Sequence, residues 1–371
     1  MISTPRKTNS KAMVAILALA SCGVLFFGAE QTLENPAKPA AKNAGRILKL
    51  KETIRIEDSG GEYFFKYPRI VKTASDGSLF VYDMDQLLQF DAQGRYLRNY
   101  FNKGQGPGEL NYVSDYDFAP DRLIVHSNSP NKVVWFDLQG KFIKEVSLAT
   151  LASRLKFVFF QDGMLWFFKD IYPSPTGKSE AVDMHQVLVA VSEDGREAAE
   201  TAAFINKGFV AGGAMVFQSL HEVLFKRRYI FVSTSREYAL HVFDTRSKMV
   251  LKMFARRYDR VKRPPGSQSA SITSQDGTRY EAPGSEYLED VNGLYVYKDV
   301  LWATTSTKAT DKGILVDVFD PEGRYIDAVW LKLDGSLLGV CGNEIFVLEK
   351  NADETFRIVG YRVVDDETPS M

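Results

Sequence analysis

The sequence predicts an all-β fold: a six-bladed β-propeller of four-stranded antiparallel blades. Three observations carry that expectation. Six short apolar strands, most behind a good turn, can be laid over one another, and a second hairpin with a shared turn phrase follows most of them. The aligned strands recur at intervals of 44, 42, 65, 71 and 44 residues. Four-stranded antiparallel units near that period are the pattern of propeller blades, because one blade cannot bury both its faces and a ring of neighbours can.

The bulk composition agrees with a large globular fold. The chain has 371 residues, of which 45% are hydrophobic and 25% charged, and aromatic residues reach 12%. Val, Ile, Tyr and Phe fill the ordered-looking segments, which favours strands. A formal net charge of −1 gives the protein as a whole no attraction to nucleic acid or to an anionic membrane. Two cysteines, Cys22 and Cys341, are too few for a disulfide framework or a cysteine-built metal site.

The amino terminus reads as a leader. Arg6, Lys7 and Lys11 precede the apolar run MVAILALASCGVLFFGA, the layout of an export signal or membrane anchor over residues 1–29. Three fates stay open. Leu19-Ala20-Ser21-Cys22 resembles a bacterial lipobox, which would leave Cys22 as a lipid-bearing terminus. Cleavage after Ala29 is the second, and an uncleaved anchor the third. Each places the rest of the chain outside the cytoplasm, held at the membrane where Cys22 carries a lipid or the segment stays as an anchor. Residues 30–45, rich in Pro, Ala and Lys, read as a flexible tether, residues 46–364 as the propeller, and residues 365–371 as a tail.

The repeated strands are SLFVYD (from Ser78), RLIVHS (from Arg122), MLWFFK (from Met164), YIFVST (from Tyr229), VLWATT (from Val300) and EIFVLE (from Glu344). Turns such as Asp76-Gly77, Asp162-Gly163 and Gly342-Asn343 precede them, with Arg227-Arg228 the poorest match. The second hairpin is marked by QFDAQGRYL, WFDLQGKFI, AVSEDGREA and VFDPEGRYI, and by VFDTRSKMV without the glycine. RILKLKETIRIE, from Arg46, has no blade of its own and is expected to supply a strand to the last blade, closing the ring. The glycine-rich NKGQGPGEL, Asn102 to Leu110, then links the outermost strand of the first blade to the innermost strand of the second. It lacks the Gly-Lys-Ser/Thr ending of a phosphate loop and no helical pattern follows it, so it reads as structural.

GQGPGEL together with the FDxxG(K/R)Y(I/L) turns resembles the six-bladed propellers of the NHL/TolB-like kind found as exported bacterial lipoproteins. The resemblance covers about Ile47 to Val364 and implies a fold and a compartment more than an activity.

On such a fold, links from second to third strand and from blade to blade share one face, here called the link face. The FDxxG turns lie on the other, the turn face. Binding on propellers commonly uses the link face, and the register brings Asp83, Asp85, His126, Asn128, Lys169, Asp170, Arg236 and Thr304 to it. These residues are the expected ligand-binding candidates, for an envelope protein, peptide or saccharide, with no cofactor and a monomeric chain. A metal-assisted lyase or lactone hydrolase is the alternative, with Asp83, His126 and His185 as ligands to Ca²⁺ or Zn²⁺. No GxSxG, HExxH or CxxC motif supports other chemistry. Of two insertions, Asp170 to Gln186 reads as a lid over the channel or simply a long hairpin connection, and Arg256 to Glu286 as an arm for an anionic ligand or partner or simply a solvated loop.

Overall fold

The computed structural model describes residues 31–151, 155–172, 180–211, 214–217, 220–234, 237–265, 271–273, 278–281 and 286–364. They form six antiparallel sheets in a ring, a six-bladed β-propeller. Blade 1 is Pro68–Thr73, Leu79–Asp83, Gln86–Phe90 and Tyr96–Asn99, from the channel outward. Blade 2 is Val113–Ala119, Arg122–Asn128, Asn131–Asp137 and Phe142–Ser147. Blade 3 is Leu155–Gln161, Met164–Ile171, Glu180–Ser192 and Ala198–Ala211, with Ala214–Phe217 added at its edge.

Blade 4 is His221–Phe225, Tyr229–Ser233, Ala239–Asp244 and Met249–Arg256. Blade 5 is Val291–Tyr297, Val300–Ala309, Gly313–Phe319 and Tyr325–Leu331. Blade 6 takes Ser336–Cys341, Glu344–Lys350 and Phe356–Val364 from the end of the chain and Lys49–Ile56 from its beginning. That last strand pairs antiparallel with Phe356–Val364, from Ile56↔Ile358 to Lys49↔Val364, and closes the ring as expected.

Six apolar clusters fill the six gaps between neighbouring blades. Phe80, Tyr116 and Val134 pack between blades 1 and 2, for example, and Phe231, Phe254 and Phe319 between blades 4 and 5. Each fully buried side chain of this size contributes roughly 1.5–3 kcal/mol, so the ring is held by many equal seams rather than one core.

Three expectations change. Residues 30–45 are not a free tether where they are described: Gln31–Asn35 runs parallel to Met249–Arg256, and Arg46–Ile47 runs parallel to Tyr325–Leu331. Asn35 adds side-chain bonds, Nδ2 donating to Gly323 O at 2.9 Å while Oδ1 accepts from Tyr325 N at 2.8 Å. The segment lacks an apolar pattern because it binds by its backbone to sheet edges that were open. The poor turn before YIFVST is a real turn, since Lys226 and Arg227 both adopt positive φ (48° and 46°) without glycine. The insertion after Asp170 is in part strand, as the third strand of blade 3 begins at Glu180.

The Asn102–Leu110 link is packed by its own residues. Glu109 Oε2 accepts from Gly106 N at 2.8 Å, and a Cβ on Gly104 would stand 1.9 Å from that oxygen. Gly108 has φ +74°, and its Cβ would come within 2.9 Å of Phe142. Lys132, only 3% exposed, donates to Gly106 O at 2.7 Å and to Glu145 at 2.8 Å. The glycines let the chain pass close to carboxylates and a ring, which is a structural use.

Candidate functional site

Most of the polar residues expected to form a site turn out to hold the link face together. Asp83 is fully buried, and its carboxylate accepts from Lys66 N at 2.7 Å and Tyr67 N at 2.6 Å. Burial pushes its pKa up, against the pull of those two amides. Asp83 therefore moors the loop ahead of blade 1. Asp85 is partly exposed and pairs with Lys66 at 2.7 Å, which lowers its pKa.

His126 is fully buried, with Nδ1 against Ser114 Oγ and Nε2 against Asn131 Oδ1 at 2.9 Å. Desolvation lowers its pKa to about 4, so the ring is neutral at ordinary pH. Both nitrogens are engaged, which leaves no lone pair free for a metal. The expected trio of Asp83, His126 and His185 does not come together: among the described residues no three His, Cys, Asp or Glu side chains group as a metal site. The three belong to different blades, and the pattern of the sequence could not show that Asp83 and His126 are each drawn to local partners while His185 stands exposed on blade 3.

The remaining candidates follow suit. Lys169 pairs with Glu200 at 2.8 Å, and Asp170 accepts from Gln186 Nε2 at 2.8 Å. Thr304 is buried and donates to Gly293 O at 3.3 Å. Asn128 N donates to Tyr112 O at 2.9 Å, tying the hairpin of blade 2 to the link that precedes the blade. Arg236 lies outside the described residues.

What the link face leaves free is aromatic. In the segment EYFFKYPR, Tyr63 and Phe65 turn inward at 7% and 5% exposure, whereas Phe64 and Tyr67 stand out at 58% and 56%. Lys66 Nζ lies 5.2 Å from the Phe64 ring, and Tyr67 meets Phe356 of blade 6 edge-on at 6.3 Å. On the other side, Arg69 lies 5.2 Å from Tyr82 and 5.8 Å from the half-exposed Tyr112. Exposed aromatic and basic side chains thus form a ridge around the start of blade 1, with Tyr67 against Phe356, Phe64 beside Lys66, Arg69 beside Tyr112, and exposed Met84 on the adjoining hairpin. The repeat comparison missed Phe64, Tyr67 and Tyr112 because they sit in links outside the aligned strands. The available signal was the cluster of aromatics and cations in a glycine-flanked stretch.

A cavity lies elsewhere. It occupies about 830 Å³ of the channel and opens towards the turn face, between the innermost strands and their first turns. Its charged groups face one another: Lys72 with Asp115 at 2.8 Å, Glu344 with Arg362 at 2.8 Å, and Glu222 with Lys156 at 2.7 Å. Burial works against the charge on Lys72, but Asp115 and Asp117 outweigh it and hold the ammonium above its ordinary pKa. Cys341 lines the same wall, and burial pushes its thiol up, away from the reactive thiolate.

A family described as a 6-bladed beta-propeller, DUF5128, matches residues 61–209. No curated protein matches. Among solved structures, a candidate exported protein from Bacteroides fragilis superposes with a TM-score of 0.56 at 11% identity, covering 90% of this chain and 100% of its own. A member of the DUF4221 family from Bacteroides vulgatus gives 0.55 at 10% identity, covering 86% and 99%. A gluconolactonase from Xanthomonas campestris reaches only 0.46 at 12% identity, covering 88% and 98%, too distant to bear on activity. At these identities the likeness is one of fold.

Proposed function

We propose that this chain is a non-catalytic binding module of the bacterial cell envelope, which recognises a protein, peptide or saccharide on its link face. The observation that carries the reading is the exposed ridge in which Phe64, Lys66 and Tyr67 are set on a loop moored by buried Asp83, beside Arg69 and Tyr112. Aromatic rings and arginine on a rigid base supply contact area at little entropic cost, the makeup of a binding hot spot. The leader-like first 29 residues support an extracytoplasmic place, as does the resemblance to NHL/TolB-like exported lipoproteins.

The test is capture from envelope extracts, and binding to glycan and peptide arrays, by the wild-type chain and by Tyr67→Ala/Tyr112→Ala. Both changes fall on half-exposed side chains, so stability should move by less than about 0.5 kcal/mol each. Binding should weaken by about 2 kcal/mol, roughly thirtyfold, if they are anchors. An identical binding profile for the two proteins would refute the reading.

A further inference from the structure

The link face has an opposite, and that opposite is not uniform. Between the strands of blade 4, the two turns hold Lys226, Arg227 and Arg228, then Arg246 and Lys248, five cations and no carboxylate. The corresponding turns of every other blade are neutral or acidic in sum. Arg228 is held by Asp244 at 2.8 Å, Arg227 by Asp117 at 3.5 Å, and Lys226 reaches Asp299 at 3.4 Å. Arg246 and Lys248 are exposed and make no ion pair among the described residues. Met249 and Leu251, next along the chain, are 48% and 43% exposed.

Blade 4 is also where the chain joins the ring. Gln31 pairs with Lys252, and Lys252 Nζ donates to Glu322 O at 2.7 Å, in the turn of blade 5. The first described residue therefore lies on the rim at the turn side, beside the basic turns. Only eight residues separate Cys22 from Gln31. Fully extended, they span at most about 30 Å. A leader that stays in or on a membrane thus holds this corner of the ring near it.

We propose that the turn end of blade 4 docks on an anionic bilayer surface, with Arg246, Lys248 and Lys226 facing lipid phosphates and Met249 and Leu251 at the headgroup boundary. Each basic side chain near such a surface favours this orientation by on the order of fivefold. The docking turns the channel mouth towards the bilayer and the aromatic ridge away from it. The inference rests on the extracytoplasmic reading of the proposed function, with the leader kept as a lipid-bearing terminus or an anchor, and not on what the link face binds.

The experiment is amide hydrogen exchange on the full chain in phosphatidylcholine vesicles with and without phosphatidylglycerol. Expected is a several-fold slowing in segments 226–228 and 245–251 that needs the anionic lipid, is lost in Arg246→Glu/Lys248→Glu, and spares segments 58–67 and 102–112. Equal exchange in both vesicle types, or slowing at the link segments instead, would overturn the docking. A chain that does not stay with the vesicles would overturn it together with membrane attachment. Capture of link-face ligands by the charge-reversed variant, measured in parallel, tests the binding reading separately.

Discussion

The link face and the channel mouth at the turn face differ in how their polar groups are used. At the channel mouth the cavity is large, yet its charges answer one another across the wall, as in Lys72 with Asp115 and Glu222 with Lys156. At the link face buried Asp83 and His126 are occupied with backbone and neighbours while Phe64, Tyr67 and Tyr112 remain outside. The difference teaches that volume is a poor guide in a ring. A ligand gains most where apolar area is exposed on a rigid base, and least where it must break pairs already made.

The contrast can be broken in several ways, the largest effect first. His126 binds its proton less tightly when folded than the ordinary 6.5, at about 4. The folded state thus takes up fewer protons, and the stability present above pH 6.5 is lost as pH falls towards 4, by up to about 3 kcal/mol. Urea midpoints at pH 7 and pH 4.5 should show that loss, and His126→Gln should flatten it. A variant as acid-sensitive as the wild type would disprove the assignment.

Asp83→Ala comes next. It strands the amides of Lys66 and Tyr67, a cost of about 2 kcal/mol, and should loosen the loop enough to lose link-face binding as well. Unchanged binding would mean that the ridge needs no mooring. Lys72→Met, at the channel, leaves Asp115 without its cation and should cost roughly 1 kcal/mol while link-face binding stays intact. Loss of binding in that variant would show that the two regions are coupled. The smallest effect concerns metal: Ca²⁺, Zn²⁺ or a chelator should leave the melting temperature unmoved. A rise with one metal that vanishes in His126→Ala would restore a metal site to the link face.

The repeated strand SLFVYD and its relatives made the ring legible, because an alternating apolar pattern is a local property that every blade must carry to pack on its neighbours. The closing role of Lys49–Ile56 was legible for the same reason, as a strand pair left over from the count. The segment 31–47 was not, since parallel edge strands bind through backbone groups that no side-chain pattern announces. The site followed the same division. Register alone placed Asp83 and His126 at the end of their strands, but only the packed structure decided that Asp83 would take two amides and His126 a hydroxyl and a carboxamide.

The sequence by itself thus determined the number of blades, their strand order and the way the ring closes, all consequences of short-range periodicity. Tertiary structure decided which polar groups became mortar, where the aromatic ridge emerged and which blade meets the incoming chain. Those outcomes depend on contacts between residues tens to hundreds of positions apart, such as Asn35 with Tyr325 or Tyr67 with Phe356, and no local pattern encodes them.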